Sequence, residues 1–375
     1  WALFSCLRAI RGAAVGAPAI VDFWRGLARE RSVVRYTALT VGGHLFALVL
    51  LYGSISLLGT LATESTAREP DPEIRKQRTR RMMIAIQRGF ASTLCWSPLG
   101  FSMIISVSVV PGASWSAAAL PGLVSALMML VIGWGLDALY KPQVKPNTRP
   151  LETERWVTQL RPLLVLLGLV LVGVALLHSV AGVEVIGAVM SLVPLIAILW
   201  IAMQQPPVGL TRSVNVRQRA LLFVTRELPN YRGEIVLLFM AGFIGSLGAF
   251  LLVPLVQAQA LDLTTIPPWI IVAAMVWIIP VTGQLGMNPI LAVSLLVPIL
   301  PSPEVMGIPP TAMVVAITGG WALSGATSPF TASVMLAASL GGVSPLRAGL
   351  GWNGVYILAA GAALTLWALS LFYIL

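Results

Sequence analysis

Long apolar runs separated by short polar and basic stretches dominate the chain from about residue 37 onward. The segments 37–62, 162–178, 181–203, 235–256 and 350–375 have the length of membrane-crossing helices, for which about 17–25 predominantly apolar residues suffice. Other runs carry helix breakers. Segment 115–140 contains Pro121-Gly122, the short runs 268–281 and 289–301 flank Gly286-Met287-Asn288-Pro289, and 345–375 is interrupted at Gly351-Trp352-Asn353-Gly354. Two segments, 82–110 and 309–341, are apolar at both ends and polar in the middle. Backbone that leaves the helix at membrane depth must line a cavity or be buried in protein, because hydrocarbon offers its polar groups no partner. The pattern predicts an all-α polytopic membrane protein with two related halves, each holding a re-entrant helical hairpin and a broken transmembrane helix.

The same pattern divides the chain. Residues 1–36, where Val21-Asp22-Phe23-Trp24-Arg25 mixes apolar and charged positions, read as an N-terminal interfacial segment. A first half, 37–203, holds the hairpin 82–110. A basic linker at 204–232 with Pro206-Pro207 leads to a second half, 233–375, with the hairpin 309–341. Arg8 and Arg11 break the first apolar stretch, so no cleavable signal peptide is expected; since the first residue is Trp1, an upstream segment is.

Composition agrees: 57% of the 375 residues are hydrophobic and 10% charged, against about a quarter charged in soluble domains. The net charge of +10 does not point to nucleic acid. All but one of the 24 Lys and Arg precede residue 233, clustered at 1–35, 68–88, 141–161 and 205–232 beside apolar runs. That placement fits cytoplasmic loops and anionic lipid headgroups in a multi-pass protein of the inner cell membrane. Cys6, Cys95, His44 and His178 lie too far apart for a disulfide framework or a zinc or haem site, so no metal or cofactor is expected.

An internal repeat carries the functional reading. Residues 89–102, GFASTLCWSPLGFS, align without a gap on 320–333, GWALSGATSPFTAS. Gly89 falls on Gly320, Ala91 on Ala322, Ser97 on Ser328, Pro98 on Pro329 and Ser102 on Ser333. Pro98 and Pro329 each remove a backbone donor, so residues 91–98 and 322–329 are expected to be non-helical, buried and close together. Helix N-termini beside such gaps attract anions, whereas hydroxyls and C-terminal carbonyls suit a cation such as Na⁺. Paired interrupted elements in two halves are the sequence pattern of a transporter binding site.

Two Ser/Thr-rich hairpin tips, each followed by a span with a glycine-containing break, resemble the ion transporter superfamily of secondary carriers. That group includes the divalent anion–sodium symporters and the membrane subunits of TRAP transporters. The resemblance covers about a third of the chain. It implies that the tips and the breaks enclose substrate and sodium, that a scaffold dimerises, and that a transport part moves as an elevator. Carried over by position, the tip residues are Ser92, Thr93 and Ser97 with Ser324, Thr327 and Ser328, and the breaks are Pro121-Gly122 and Gly351-Trp352-Asn353-Gly354. The Ser-Asn-Thr tip of the sodium–dicarboxylate branch is absent from both copies, which leaves the substrate open. Six apolar runs between the hairpins also sit awkwardly with inverted repeats, which need an odd number.

Of the remaining polar residues, Asn288 either lines the cavity or starts a turn, as Asn-Pro commonly does. Asn353 lies in the second break. Arg88, beside the first tip and matched by Gly319, either faces an anionic substrate or snorkels to the basic loop. Asp137 and Glu184 read as structural, and His44 as a helix contact without a visible partner. Clustered intramembrane acids, the usual proton carriers, are missing, so Na⁺ is the expected coupling ion. The expectation is a carrier of a small carboxylate-like anion rather than an enzyme. A membrane-embedded lipid-handling protein or enzyme is the alternative, which a His or Asp within hydrogen-bond reach of Ser97 or Ser328 would favour.

Overall fold

The computed structural model describes residues 32–67, 69–140, 161–183 and 263–374 continuously, and isolated residues between 185 and 254. The interfacial segment before residue 32, Glu184, nearly all of the basic linker and much of 181–203 and 235–256 lie outside the described residues, and so does the crossing count. Two compact units form, one from residues 1–23 and 155–240 and the other from 24–154 and 241–375. The first contributes helix α6 (Arg161–Ala181). The second holds every residue discussed below.

The described residues are helices joined by turns, with no strand among them. In chain order the second unit comprises α1 (Ser32–Leu50), α2 (Tyr52–Ala67), α3 (Pro72–Thr93), α4 (Phe101–Val109) and α5 (Trp115–Leu139). It continues with α7 (Pro268–Gln284), α8 (Pro289–Leu296), α9 (Pro310–Thr327), α10 (Ala332–Gly341) and α11 (Trp352–Ile374). α3 packs on α1 and α9 on α7; α5 packs on both central helices, and α11 packs on α9, α7 and α5. From Met82 to Thr93 and from Ala312 to Thr327 every residue is buried, so α3 and α9 form the core of this unit.

The segments 82–110 and 309–341 are helix–turn–helix elements, α3–α4 and α9–α10, but their first helices run further than expected. Residues 91–93 and 322–327 are helical rather than unwound. A proline deletes the bond to the carbonyl four residues back and restricts its immediate predecessor, so it leaves the earlier turns intact. At its other end α3 begins at Pro72, and the basic run Arg75–Arg81 forms its first turns. Asp71 caps it, accepting from Glu73 N at 2.8 Å and Ile74 N at 3.2 Å, and Pro72 sits where no donor is needed. Arg78 pairs with Glu69 at 2.5 Å and Arg81 with Asp137 of α5 at 2.5 Å, which ties the charged end to the bundle.

Three other expectations change. The run 37–62 is two helices joined at Leu51, whose φ of +48° turns the chain. Pro121-Gly122 does not break α5, which is continuous from Trp115 to Leu139. Gly122 serves close packing instead: a Cβ there would collide with the Cys95 carbonyl oxygen of the first tip. The second break is a π-helical turn, Arg347–Gly351, placed just ahead of Trp352-Asn353, where α11 resumes.

Two helical runs, Trp115–Leu139 and Arg347–Ile374, are long and apolar enough to cross a membrane by length and composition. Their outer faces are apolar and exposed, with Leu127, Val131 and Trp134 on α5 and Val355, Leu358 and Leu366 on α11. Such faces suit hydrocarbon and not water.

Candidate functional site

Each hairpin turn is built around the donor that its proline removes. A helical residue at 98 would donate to Leu94 O; Pro98 cannot, and the Ser102 hydroxyl donates there instead. In the second copy Pro329 abandons Gly325 O, and Ser333 Oγ donates to it at 2.5 Å. The other turn bonds match as well. Ser97 Oγ accepts from Leu99 N and Ser328 Oγ from Phe330 N, both at 3.3 Å. Gly100 N donates to Ser97 O at 3.0 Å and Thr331 N to Ser328 O at 3.2 Å. The spacing Ser-Pro-x₃-Ser is therefore a local hydrogen-bond device that lets a buried helix end without an unsatisfied carbonyl.

The two tips meet. A Cβ on Gly325 would stand 2.9 Å from Leu94 Cδ1, and Gln87 of α3 donates through Nε2 to Ala326 O at 3.0 Å. The helices that follow cross the tips at matching positions. Gly122 of α5 lies on the Cys95 carbonyl, and Asn353 of α11, aligned with it, donates through Nδ2 to Ala326 O at 3.2 Å.

Between these crossings lies Arg88, 6% exposed. Its Nε donates to Asn353 Oδ1 at 2.9 Å, and Nη1 donates to Tyr36 OH at 3.2 Å and Gly133 O at 3.3 Å. The guanidinium carbon stands 4.3 Å from the centre of the Tyr356 ring. Among the described residues it has no carboxylate partner. It therefore points into the helix core, not toward the basic run, and brings a positive charge there. Asn353 is fully committed, since Nδ2 also reaches Gln87 Oε1 at 3.3 Å and Ala348 O at 3.2 Å.

The hydroxyls differ in their commitments. Ser92 Oγ donates to Gly89 O at 2.8 Å and lies 2.7 Å from His44 Nδ1. Trp96 Nε1, which can only donate, reaches His44 Nε2 at 3.3 Å; His44 is thus the tautomer protonated at Nδ1 and donates to Ser92. His44 accordingly has partners, in correction of the sequence reading, and they are not Ser97 or Ser328. Thr93 Oγ1 donates to Phe90 O and Thr327 Oγ1 to Leu323 O, both at 2.7 Å. Ser328 Oγ donates to Gly283 O of α7 at 2.6 Å. Ser324 Oγ is wholly buried and has no hydrogen-bond partner among the described residues.

Asn288 makes a local bond rather than one to a tip hydroxyl. It caps α8, accepting from Ile290 N at 2.8 Å, which is the turn-starting alternative. No group of three or more His, Cys, Asp or Glu able to hold a metal occurs among the described residues. Sequence reading did not single out Gln87, Tyr36, Tyr356 or Gln284. Gln87 carried a signal in its place beside Arg88 inside an apolar run, and Gln284 in ending the run before Gly286. The two tyrosines carried none.

No known family profile matches the sequence, and no curated protein matches it. Two solved structures are among those that share the fold. One is the Alcanivorax borkumensis YdaH transporter, described as having an unusual topology, with a TM-score of 0.58 at 15% identity over 99% of this chain and 84% of that one. The other is Neisseria gonorrhoeae MtrF, from a class of antimetabolite efflux pumps, with a TM-score of 0.55 at 15% identity over 100% of this chain and 80% of that one. The all-α architecture of this protein is thus one found in membrane transporters.

Proposed function

We propose that this protein is a secondary carrier of the inner cell membrane that moves a small carboxylate-like anion by alternating access, coupled to a cation, with Na⁺ as that cation. The observation that carries the reading is the meeting of two matching Ser-Pro tips beside a buried arginine that lacks a carboxylate. Paired interrupted helices that meet at the centre of an apolar protein are the arrangement of a transporter binding site. Arg88 brings positive charge to this meeting point, which favours an anionic substrate. The folds of YdaH and MtrF support transport as the activity, and the efflux described for MtrF makes outward movement a direction to measure. The resemblance to the ion transporter superfamily supports a homodimer in which a scaffold holds a moving transport part.

The test is transport by purified protein in liposomes. An anion panel under Na⁺, H⁺ and K⁺ gradients should identify at least one substrate moved faster than by protein-free vesicles. Ser97→Ala and Thr327→Ala should each lower its rate without lowering folded yield. Movement of none of the anions under any gradient, or unchanged rates in both variants, would exclude this reading.

A further inference from the structure

The charged part of α3 meets the start of α11 at one end of the apolar helices α5 and α11, and side-chain bonds fix the levels. Trp367 Nε1 donates to Pro121 O at 3.1 Å and Tyr356 OH to Met129 O at 3.3 Å, while Arg88 donates to both Gly133 O and Asn353 Oδ1. α5 and α11 therefore run antiparallel, and the last turn of α5 lies level with Arg347. Arg81 is held at that level by its pair with Asp137, which brings the preceding Arg80 there too. Arg80 also precedes Gln87 by seven residues, close to two turns, so the two share one face of α3. On that face Gln87 Oε1 accepts from Asn353 Nδ2 at 3.3 Å, and Nδ2 also donates to Ala348 O, next to Arg347. Arg80 and Arg347 thus flank one seam between α3 and the π-helical turn.

The acids of the loop before α3, of α3 itself and of α5 are committed elsewhere. Glu69 pairs with Arg78, Asp137 with Arg81 and Glu73 with Lys76 at 3.8 Å, while Asp71 caps α3. Arg80 and Arg347 are exposed, and neither has an ion pair among the described residues. Partial burial, then the charges of Arg347 and Arg88, holds Arg80 below the usual arginine range, as befits neighbouring guanidiniums without a counter-ion. The surroundings are those of a membrane boundary. Trp134 and Tyr140 are exposed at the same end of α5, and Leu346 and Leu350 are exposed to either side of Arg347. We propose that Arg80 and Arg347 together bind the phosphate of an anionic phospholipid, whose acyl chains lie along Leu346 and Leu350. Two arginines suit a phosphate because each guanidinium can donate a pair of parallel hydrogen bonds to its oxygens. A lipid fits better than free phosphate, since apolar side chains border the cations at headgroup level. The headgroup then bridges α3 and the turn ahead of α11, the two elements that carry Arg88 and Asn353. Such binding does not depend on what the protein transports.

The experiment counts the lipids retained by the purified full chain in neutral detergent, by native mass spectrometry. Phosphatidylglycerol and phosphatidylcholine of equal chain length are titrated in turn. Wild type should hold one phosphatidylglycerol at concentrations where phosphatidylcholine is not retained. Arg80→Gln and Arg347→Gln should each weaken that binding at least about fivefold, the loss expected for one basic residue at an anionic membrane surface. Lys76→Gln removes another exposed charge, one that already has an acid partner, and should leave the binding nearly unchanged. Arg80→Lys and Arg347→Lys keep the charge but lose the planar fork, and should weaken binding by an intermediate factor, which preserves the test if a glutamine variant folds poorly. Equal retention of the two lipids would overturn the site. Equal weakening by all three glutamine variants would also overturn it, by showing diffuse attraction of the basic run instead. Displacement of the lipid by inorganic phosphate at equal concentration would overturn the lipid assignment in favour of a soluble phosphate.

Discussion

Leu94 and Gly325 present carbonyls that no backbone N–H can reach, and one serine hydroxyl satisfies each of them. Ser102→Ala and Ser333→Ala should therefore each destabilise the protein by about 1–3 kcal/mol, read as a fall in denaturation midpoint, because a buried acceptor is left open. Substitution of Ser108, whose hydroxyl bonds Ile105 O at an exposed position, should have little effect by comparison. Arg88 makes a second case at this scale. Its Nε bond to Asn353 and two Nη1 bonds join α3 to α11, α1 and α5, so it holds the crossing together as well as charging it. Arg88→Lys keeps the charge but loses the planar fork. Its midpoint should fall by the equivalent of one or two charged hydrogen bonds, about 1.5–3 kcal/mol each. A lysine variant as stable as wild type would mean that these bonds contribute nothing.

At the scale of elements, close packing explains what breaker residues alone misreport. Pro121-Gly122 reads as a break, yet α5 passes through it unbroken, since Gly122 is needed for the approach to Cys95 O. Gly122→Ala should push α5 off the first tip and lower both stability and transport. Gly349 repeats the device: a Cβ there would strike Thr327 O at the second tip. The joint at Leu51 is the opposite case, a turn without a breaker residue. A left-handed non-glycine residue costs roughly 1–2 kcal/mol. Leu51→Gly should relieve that cost and raise the melting midpoint; a fall would show that the half-buried Leu51 side chain matters more than its backbone.

Across the molecule, the apolar outer faces of α5 and α11 decide the surroundings of the fold. Spin labels at Val131 and Leu366, both more than half exposed at 64% and 69%, should be accessible to dissolved oxygen and shielded from a polar nickel chelate in bilayers. The reverse pattern would place these faces in water. The hairpins themselves were legible in the sequence, because Pro98 and Pro329 sit at equal distances inside polar centres flanked by apolar arms. Their true boundaries were not, since the charged turns of α3 are stabilised by Asp71, Glu69 and Asp137 contacts that no local pattern reveals.

The sequence by itself determined the helical class, the two Ser-Pro tips and the concentration of hydroxyls there. Those features rest on local physics: apolar run length, the missing proline donor and the short reach of serine. Only the tertiary structure decided which hydroxyls are committed and which are free. Ser324 and Thr93 occupy equivalent positions, yet Thr93 bonds its own helix and Ser324 faces the end of α7 without a partner among the described residues. Likewise Arg88 and Asn353, separated by 265 positions, become one network only when α3 and α11 cross. Such pairings depend on helix packing across the whole unit, and sequence separation carries no record of it.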